Sequence, residues 1–327
     1  MVTHYRIETM RAGKIETVHC YGRMAIDMLT ASRSSLGDRE LVACRTPSEF
    51  LTELHRVEAV LGIGMPVEDW SRARRLRLIH LVGSGADSIL PAKGLPPGVR
   101  IANARGISAP AMGEYAIAML LGLAKGLPRV LESQRAREWR RRDPILLSGL
   151  PLLVVGAGPV GREVARRGRA LGAHVIGVRK GGAPVAEFDE THPAERFAEL
   201  AARAGAIVMA VPATPLTRRM LNADVLDRCA PTCLIVNISR GDVVDEDELA
   251  ARLHAGTLGG AALDVFQREP LPPGSPLWDA PNTILTPHIS WSSPDYPLRV
   301  AALFIENLER VESGRPVINP VEGSRGY

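Results

Sequence analysis

Leu152-Leu153-Val154-Val155-Gly156-Ala157-Gly158-Pro159-Val160-Gly161, followed by a helical stretch through Leu171, is the part of the chain on which the fold turns. An apolar run, a glycine-rich turn and a helix arrive in the order of the first strand, turn and helix of a dinucleotide-binding unit. Gly156 permits the tight turn, Gly158 lets a pyrophosphate approach the backbone, and Gly161 lets helix and strand pack closely. The helix N-terminus, opening at Pro159 and Val160, offers N–H donors and a favourable dipole to phosphate. Gly156, Gly158, Pro159, Val160 and Gly161 are therefore the candidate phosphate-binding residues; a purely structural turn is the competing reading.

The next strand ends at Val178-Arg179-Lys180. An acid that bonds the ribose hydroxyls of NAD usually stands about 20 residues past the glycines, and here that position holds a base instead. Arg179 can pair with a 2′-phosphate through its planar fork and Lys180 as a point charge. This favours NADP(H), with NAD(H) still open. The alternative is a pair of solvated cations at a loop tip.

Outward from this unit, apolar strand candidates recur at 152–155, 174–178, 206–211, 233–238, 259–265 and 283–285, with helical segments between most of them. Six such strands fit a complete doubly wound nucleotide fold. Upstream, 40–45, 57–63 and 76–82 read as strands and 47–55 as helix, a second parallel α/β pattern. The run 109–127, starting after Ser108, is apolar apart from Glu114 and Lys125 and reads as one long, largely buried helix. A basic amphiphilic stretch, 129–143, follows it and contains Trp139; it is either a solvated face or an inter-subunit arm. Residues 297–312 read as a last helix. The fold class is α/β, with two doubly wound parallel-sheet domains.

The composition is ordinary for a soluble globular protein. The chain has 327 residues, 46% of them hydrophobic and 23% charged, with a formal net charge of +4. That length exceeds one typical domain. Lys and Arg are spread along the chain, which argues against nucleic-acid binding. Cys20, Cys44, Cys229 and Cys233 lack paired metal-ligand spacing, so free buried thiols are expected and no metal site. Residues 1–10 lack the apolar core of a signal peptide, and no apolar run reaches membrane-spanning length, so the cytoplasm is the expected location.

Three later motifs stand in order: Asn237-Ile238-Ser239-Arg240-Gly241, then Leu263-Asp264-Val265-Phe266-Gln267-Arg268-Glu269-Pro270-Leu271, then Thr286-Pro287-His288-Ile289-Ser290. With Leu81-Val82-Gly83-Ser84-Gly85-Ala86-Asp87 and Asn103-Ala104-Arg105-Gly106, they make the sequence resemble the D-isomer-specific 2-hydroxyacid dehydrogenases over nearly its whole length. Among these it resembles the NADP-dependent glyoxylate/hydroxypyruvate reductases in particular.

The resemblance implies hydride transfer between NADP(H) and a small 2-keto acid/D-2-hydroxy acid pair. It makes Arg240 the group that binds the keto-acid carboxylate and polarises its carbonyl, a task suited to a planar guanidinium. His288 becomes the acid/base and Glu269 the carboxylate that orients it. Ser84 and Gly85 would meet the substrate carboxylate through backbone N–H groups. Asp264 matches the residue that bonds the nicotinamide carboxamide. Val211, Pro212 and Thr217 match the loop under the cofactor, and Ile238 and Ser239 the strand exit beside it.

The implied architecture is a flavodoxin-like substrate domain of residues 1–104 plus 291–327, a Rossmann cofactor domain of 105–290, and a cleft between them that closes by hinge motion. A homodimer is expected, touching through the 109–127 helix and the arm around Trp139. Trp291 is a candidate pocket residue, with simple packing as the alternative. Formate dehydrogenases of the family carry glutamine where Glu269 stands, which argues against that activity. Phosphite dehydrogenase shares the Arg, Glu and His set. A nucleotide-sensing protein of the corepressor type is the alternative from another class; the end of the chain near the expected domain boundary favours an enzyme.

Overall fold

The computed structural model describes residues 13–86 and 89–321. The N-terminal stretch read for a signal peptide, and Asp87 of the glycine-rich loop, lie outside the described residues. The chain divides into two compact units, one built from the segment up to Ile107 and the segment from Ser293 onward, the other from Ser108–Ser292.

The first unit carries strands β1 (Thr17–Tyr21), β2 (Glu40–Cys44), β3 (Ala59–Gly62), β4 (Leu78–Leu81) and β5 (Arg100–Asn103), with helices α1 (Arg23–Ala31) and α2 (Pro47–Glu53). Among the described residues they form a parallel sheet in the order β2-β1-β3-β4-β5, the flavodoxin-like order. α2 starts where the sequence demands it: Thr46 accepts from the Glu49 N–H while Glu49 reaches back to the Thr46 N–H, and Pro47 opens the first turn. β1 and β5 escape the sequence reading. β1 carries a buried His19, and β5 is four residues long and begins with Arg100, so neither is an uninterrupted apolar run.

The second unit opens with helices α3 (Ala109–Ala124) and α4 (Leu127–Arg135). The single helix expected over 109–127 is shorter, because Gly126 takes a left-handed φ of +64° and starts a new helix. The chain then alternates β6 (Pro151–Val155), α5 (Pro159–Ala170), β7 (His174–Arg179), β8 (Glu190–Pro193), α6 (Phe197–Ala201), β9 (Ala206–Met209), α7 (Ala223–Leu226), β10 (Leu234–Asn237), α8 (Glu246–Ala255), β11 (Gly260–Leu263) and β12 (Thr283–Leu285).

Their parallel sheet runs β12-β11-β10-β9-β6-β7-β8 among the described residues. This is the order of a doubly wound dinucleotide fold with one further strand, and its topological switch lies between β6 and β9. Seven strands stand where six were expected. The extra one, β8, reads Glu-Thr-His-Pro; as an edge strand it needs no apolar run and tolerates proline.

Alternate residues of β6 enter two cores. Leu153 and Val155 join Ile207, Ile235 and Leu249 on one face; Leu152 and Val154 join Leu120, Val164 and Val208 on the other. A sheet buried on both faces explains the continuous apolar strands of the sequence. α3 and α5 cover the second face closely, because Gly113 faces Glu163, where a Cβ would approach to 2.6 Å. All four cysteines are buried and free, and no helix among the described residues is long and apolar enough to cross a membrane.

Candidate active site

The functional motifs of the second unit lie at the carboxyl ends of its strands, the edge at which open parallel sheets bind ligands. β6 delivers the glycine turn, β7 Arg179, β9 Val211, β10 Arg240, β11 Asp264 and Glu269, and β12 His288.

The glycine turn fits a pyrophosphate. Gly156 has a φ of +108°, and a Cβ there would lie 2.4 Å from the Ala210 carbonyl oxygen. At Gly161 a Cβ would lie 1.7 Å from the Gly156 oxygen, so that glycine is required for α5 to pack. At Gly158 a Cβ would meet nothing within 4 Å: the backbone there borders open space. Gly158 caps α5 without a side chain, so the first-turn N–H groups face that space. At the end of β7, Gly182 N–H donates to the Arg179 carbonyl at 3.2 Å, and Gly181 and Gly182 both take positive φ. This tight turn holds Arg179 half-buried and Lys180 exposed at one corner.

After β9, the Thr217 hydroxyl donates to the Pro212 carbonyl at 2.6 Å and accepts from the Thr214 N–H at 2.8 Å. Thr217 thus closes the loop that begins at Val211. Ile238 is 1% exposed with its side chain in the core, so it can offer a cofactor only its backbone. The Ser239 hydroxyl is turned inward, donating to Asn237 Oδ1 at 2.9 Å.

Arg240 is set by its neighbours. Buried Asn237 donates from Nδ2 to the Arg240 carbonyl at 2.9 Å and accepts from the Ser239 N–H at 3.1 Å. Arg240 Nη1 donates to the Ser239 carbonyl at 2.7 Å. Gly241 follows because its Cα lies against the exit of β11, where a Cβ would approach the Gln267 nitrogen to 2.2 Å.

His288 Nδ1 lies 2.9 Å from Glu269 Oε2, and the other carboxylate oxygen accepts from the Phe266 N–H at 3.0 Å. A carboxylate only accepts, so Nδ1 carries the proton and Nε2 is the nitrogen left for chemistry. Both side chains are more than a third exposed, which gives a reactant access. The Glu269 loop is itself braced by a residue the sequence reading missed. Glu246 accepts from the Gln267 N–H, and burial pushes its carboxyl above the usual range. Nothing in the sequence links positions so far apart.

Asp264, 1% exposed, organises the loop that carries His288. Its Oδ1 accepts from the Thr286 hydroxyl at 2.8 Å and the Ile289 N–H at 2.9 Å, and its Oδ2 accepts from the Ser290 N–H at 2.9 Å. The Asp264 carbonyl accepts from the His288 N–H at 2.9 Å. These contacts come in addition to any role toward a nicotinamide.

In the first unit, the carbonyls of the glycine-rich loop face the protein. Tyr296 Oη donates to Val82 at 2.6 Å, the Ala104 N–H to Gly83 at 3.0 Å, and Asn103 Nδ2 to Ser84 at 2.8 Å. Burial pushes the Tyr296 phenol up to about 12, so it stays a neutral donor. Because C=O and N–H point opposite ways across a trans peptide, the Ser84 and Gly85 N–H groups turn away from these partners. Those two N–H groups are thereby available to a ligand.

Comparison with known proteins gives the family. The model for the NAD binding domain of D-isomer specific 2-hydroxyacid dehydrogenases matches residues 117–290. A glycerate dehydrogenase of Methylorubrum extorquens is 28% identical over 85% of this chain and 90% of its own. A hydroxyphenylpyruvate reductase of Plectranthus scutellarioides is 30% identical over 84% of this chain and 88% of its own. Among solved structures, the NADPH-dependent glyoxylate/hydroxypyruvate reductase of Sinorhizobium meliloti, in complex with NADP and sulfate, is 27% identical with a TM-score of 0.83. That match covers 96% of this chain and 100% of the other. On its glycine turn, its His288 constellation and these matches, the chain belongs to the D-isomer specific 2-hydroxyacid dehydrogenase family and is a nicotinamide-dependent enzyme.

Proposed function

We propose that the chain reduces a small 2-keto acid of the glyoxylate or hydroxypyruvate type to its D-2-hydroxy acid, with NADPH preferred over NADH. The reaction reading rests on one observation above the others: the His288 ring held through Nδ1 by Glu269, with Nε2 left accessible.

A bound nicotinamide supplies the hydride that reaches the keto carbon. The chain's own residues do the remaining work. Arg240 holds the carboxylate of the keto acid and polarises its carbonyl, and Ser84 and Gly85 donate to that carboxylate through their N–H groups. The imidazolium of His288 gives its Nε2 proton to the carbonyl oxygen as charge develops there, which leaves neutral imidazole; oxidation reverses the transfer. Glu269 keeps the ring in the orientation this requires and offsets its positive charge. Gly156, Gly158, Pro159, Val160 and Gly161 take the pyrophosphate, and Arg179 with Lys180 takes the 2′-phosphate. Asp264, the Val211-Pro212 and Thr217 loop, and the Ile238-Ser239 backbone line the rest of the cofactor's course.

Oligomerisation is assigned to α3, α4 and the segment after them. There Trp139 is 94% exposed, with Leu127, Val130 and Leu131 also exposed. Light scattering on the purified protein reads this directly: a dimer that a Trp139→Asp variant splits supports the assignment, and a monomeric wild type refutes it.

The test of the reaction is steady-state oxidation of NADPH, and separately of NADH, against glyoxylate, hydroxypyruvate, pyruvate, phenylpyruvate and branched 2-keto acids. Faster turnover with NADPH and a small acid is expected. Cofactor binding without turnover of any acid would overturn the reading.

A further inference from the structure

His288 has a φ of +54°, in the left-handed region that a side chain with a Cβ enters only at a cost. That backbone is what aims the ring: the chain reverses at Pro287, where the His288 N–H donates back to the Thr286 carbonyl at 3.0 Å, and the Cα–Cβ bond then points toward Glu269. An unfavourable conformation persists only when its surroundings fix it. On the amino side the His288 N–H also donates to the Asp264 carbonyl at 2.9 Å. On the carboxyl side the peptide joining His288 to Ile289 is gripped at both ends. Its N–H donates to Asp264 Oδ1 at 2.9 Å, and its carbonyl accepts from the indole Nε1–H of Trp291 at 2.8 Å.

We propose that Trp291 is a positioning residue for the proton donor, acting through its indole N–H on the His288 carbonyl, in addition to any packing by its ring. The inference rests on the assignment of His288 as that donor. Glu269 fixes the ring, Asp264 fixes the loop, and Trp291 fixes the one remaining polar group of the histidine's own backbone. Its loss frees the peptide to rock about the Asp264 contact, carrying Nε2 off the line to the substrate oxygen. Displacements of this kind lower the rate of the chemical step without changing how substrate is held. A tryptophan that only walls the pocket does the reverse: its replacement alters KM by an amount that depends on the side chain of the keto acid.

The experiment replaces Trp291 by benzothienylalanine, which keeps the shape of the indole and has sulfur in place of N–H. Trp291→Phe serves as a second variant and 5-fluorotryptophan, which keeps the N–H, as the conservative one. We expect kcat to fall about tenfold in the first two, by the same factor for every 2-keto acid accepted, with KM within about twofold and full rescue by 5-fluorotryptophan. Proton NMR of the His288 Nδ1–H, hydrogen-bonded to Glu269, reads the same effect without turnover: sharp in the wild type, broadened in the variants lacking the donor. Unchanged kcat with the isostere, or KM changes that track substrate size, would overturn the inference. Should the wild type reduce no 2-keto acid, the reaction reading fails on its own, and the NMR signal still decides: a sharp signal in the isostere refutes positioning and a broadened one supports it.

Discussion

Glu269 Oε2 and His288 Nδ1 lie 2.9 Å apart although a strand and its approach loop separate them in sequence. The carboxylate can act in two ways, by holding the ring and by offsetting the charge of the imidazolium, and substitution separates them. Glu269→Gln keeps an acceptor oxygen and removes the charge; Glu269→Ala removes both. For Glu269→Gln we expect kcat to fall between about tenfold and a hundredfold, and for Glu269→Ala further, with the Kd for NADPH unchanged in both. Stopped-flow measurement of the hydride step checks this. Equal activities of Gln and wild type would confine Glu269 to holding the ring.

Arg179 sits at the tight turn that ends β7, a base where NAD-binding units usually carry an acid. Charge-assisted hydrogen bonds of this kind contribute about 1.5–3 kcal/mol, so Arg179→Ala should weaken NADPH by roughly ten- to a hundredfold and leave NADH within about twofold. Quenching of protein fluorescence by each cofactor gives both constants. Equal weakening of the two would show that Arg179 does not read the 2′-phosphate.

Asp264 offers a different discrimination. Its carboxylate accepts three hydrogen bonds from the loop that carries His288, among them two from the main chain. Asparagine has one oxygen where two are used, and its NH2 group would face a donor. Asp264→Asn should therefore lower Tm by several degrees and kcat by more than tenfold together, since leaving buried donors unpaired costs about 1–3 kcal/mol each. Loss of NADPH affinity with Tm unchanged would mean that the carboxylate serves the cofactor and not the loop.

The parts legible in the sequence are those whose physics is local. Leu152 to Gly161 announces strand, turn and helix because each residue type is demanded by its immediate neighbours, and the apolar strands β9 to β11 stand out because both their faces are buried. β8 was not legible, since an edge strand of Glu190 to Pro193 has no such demand. Nor was the break in the helix at Gly126, a residue that many helices absorb without stopping. In the site, motif resemblance named His288, Glu269 and Asp264 separately. What it could not give was their wiring: the occupation of the Asp264 carboxylate by the 286–290 loop and the bracing by Glu246 depend on where separate strands end, and the hydrogen bond from Trp291 depends on the left-handed backbone at His288.

The first unit carries a titratable group that its sequence setting does not advertise. His80, in the middle of β4, is fully buried, packed edge-on to Phe304 at 5.6 Å between ring centroids, with Nδ1 3.1 Å from the Leu81 carbonyl. Burial lowers its pKa from 6.5 to about 4, so the folded unit holds it neutral where the unfolded chain would bind a proton. A depressed folded value means that stability is complete above pH 6.5 and drains away as pH falls through the window down to about 4. The linked loss is about 3 kcal/mol by pH 4. His19, also buried and also lowered by desolvation, adds to the slope in the same direction. His80→Phe retains a ring against Phe304 and has nothing to protonate. Denaturant unfolding followed at pH 7 and pH 4.5 should therefore show the wild type losing more stability than the variant between the two, and parallel losses would remove His80 as the cause.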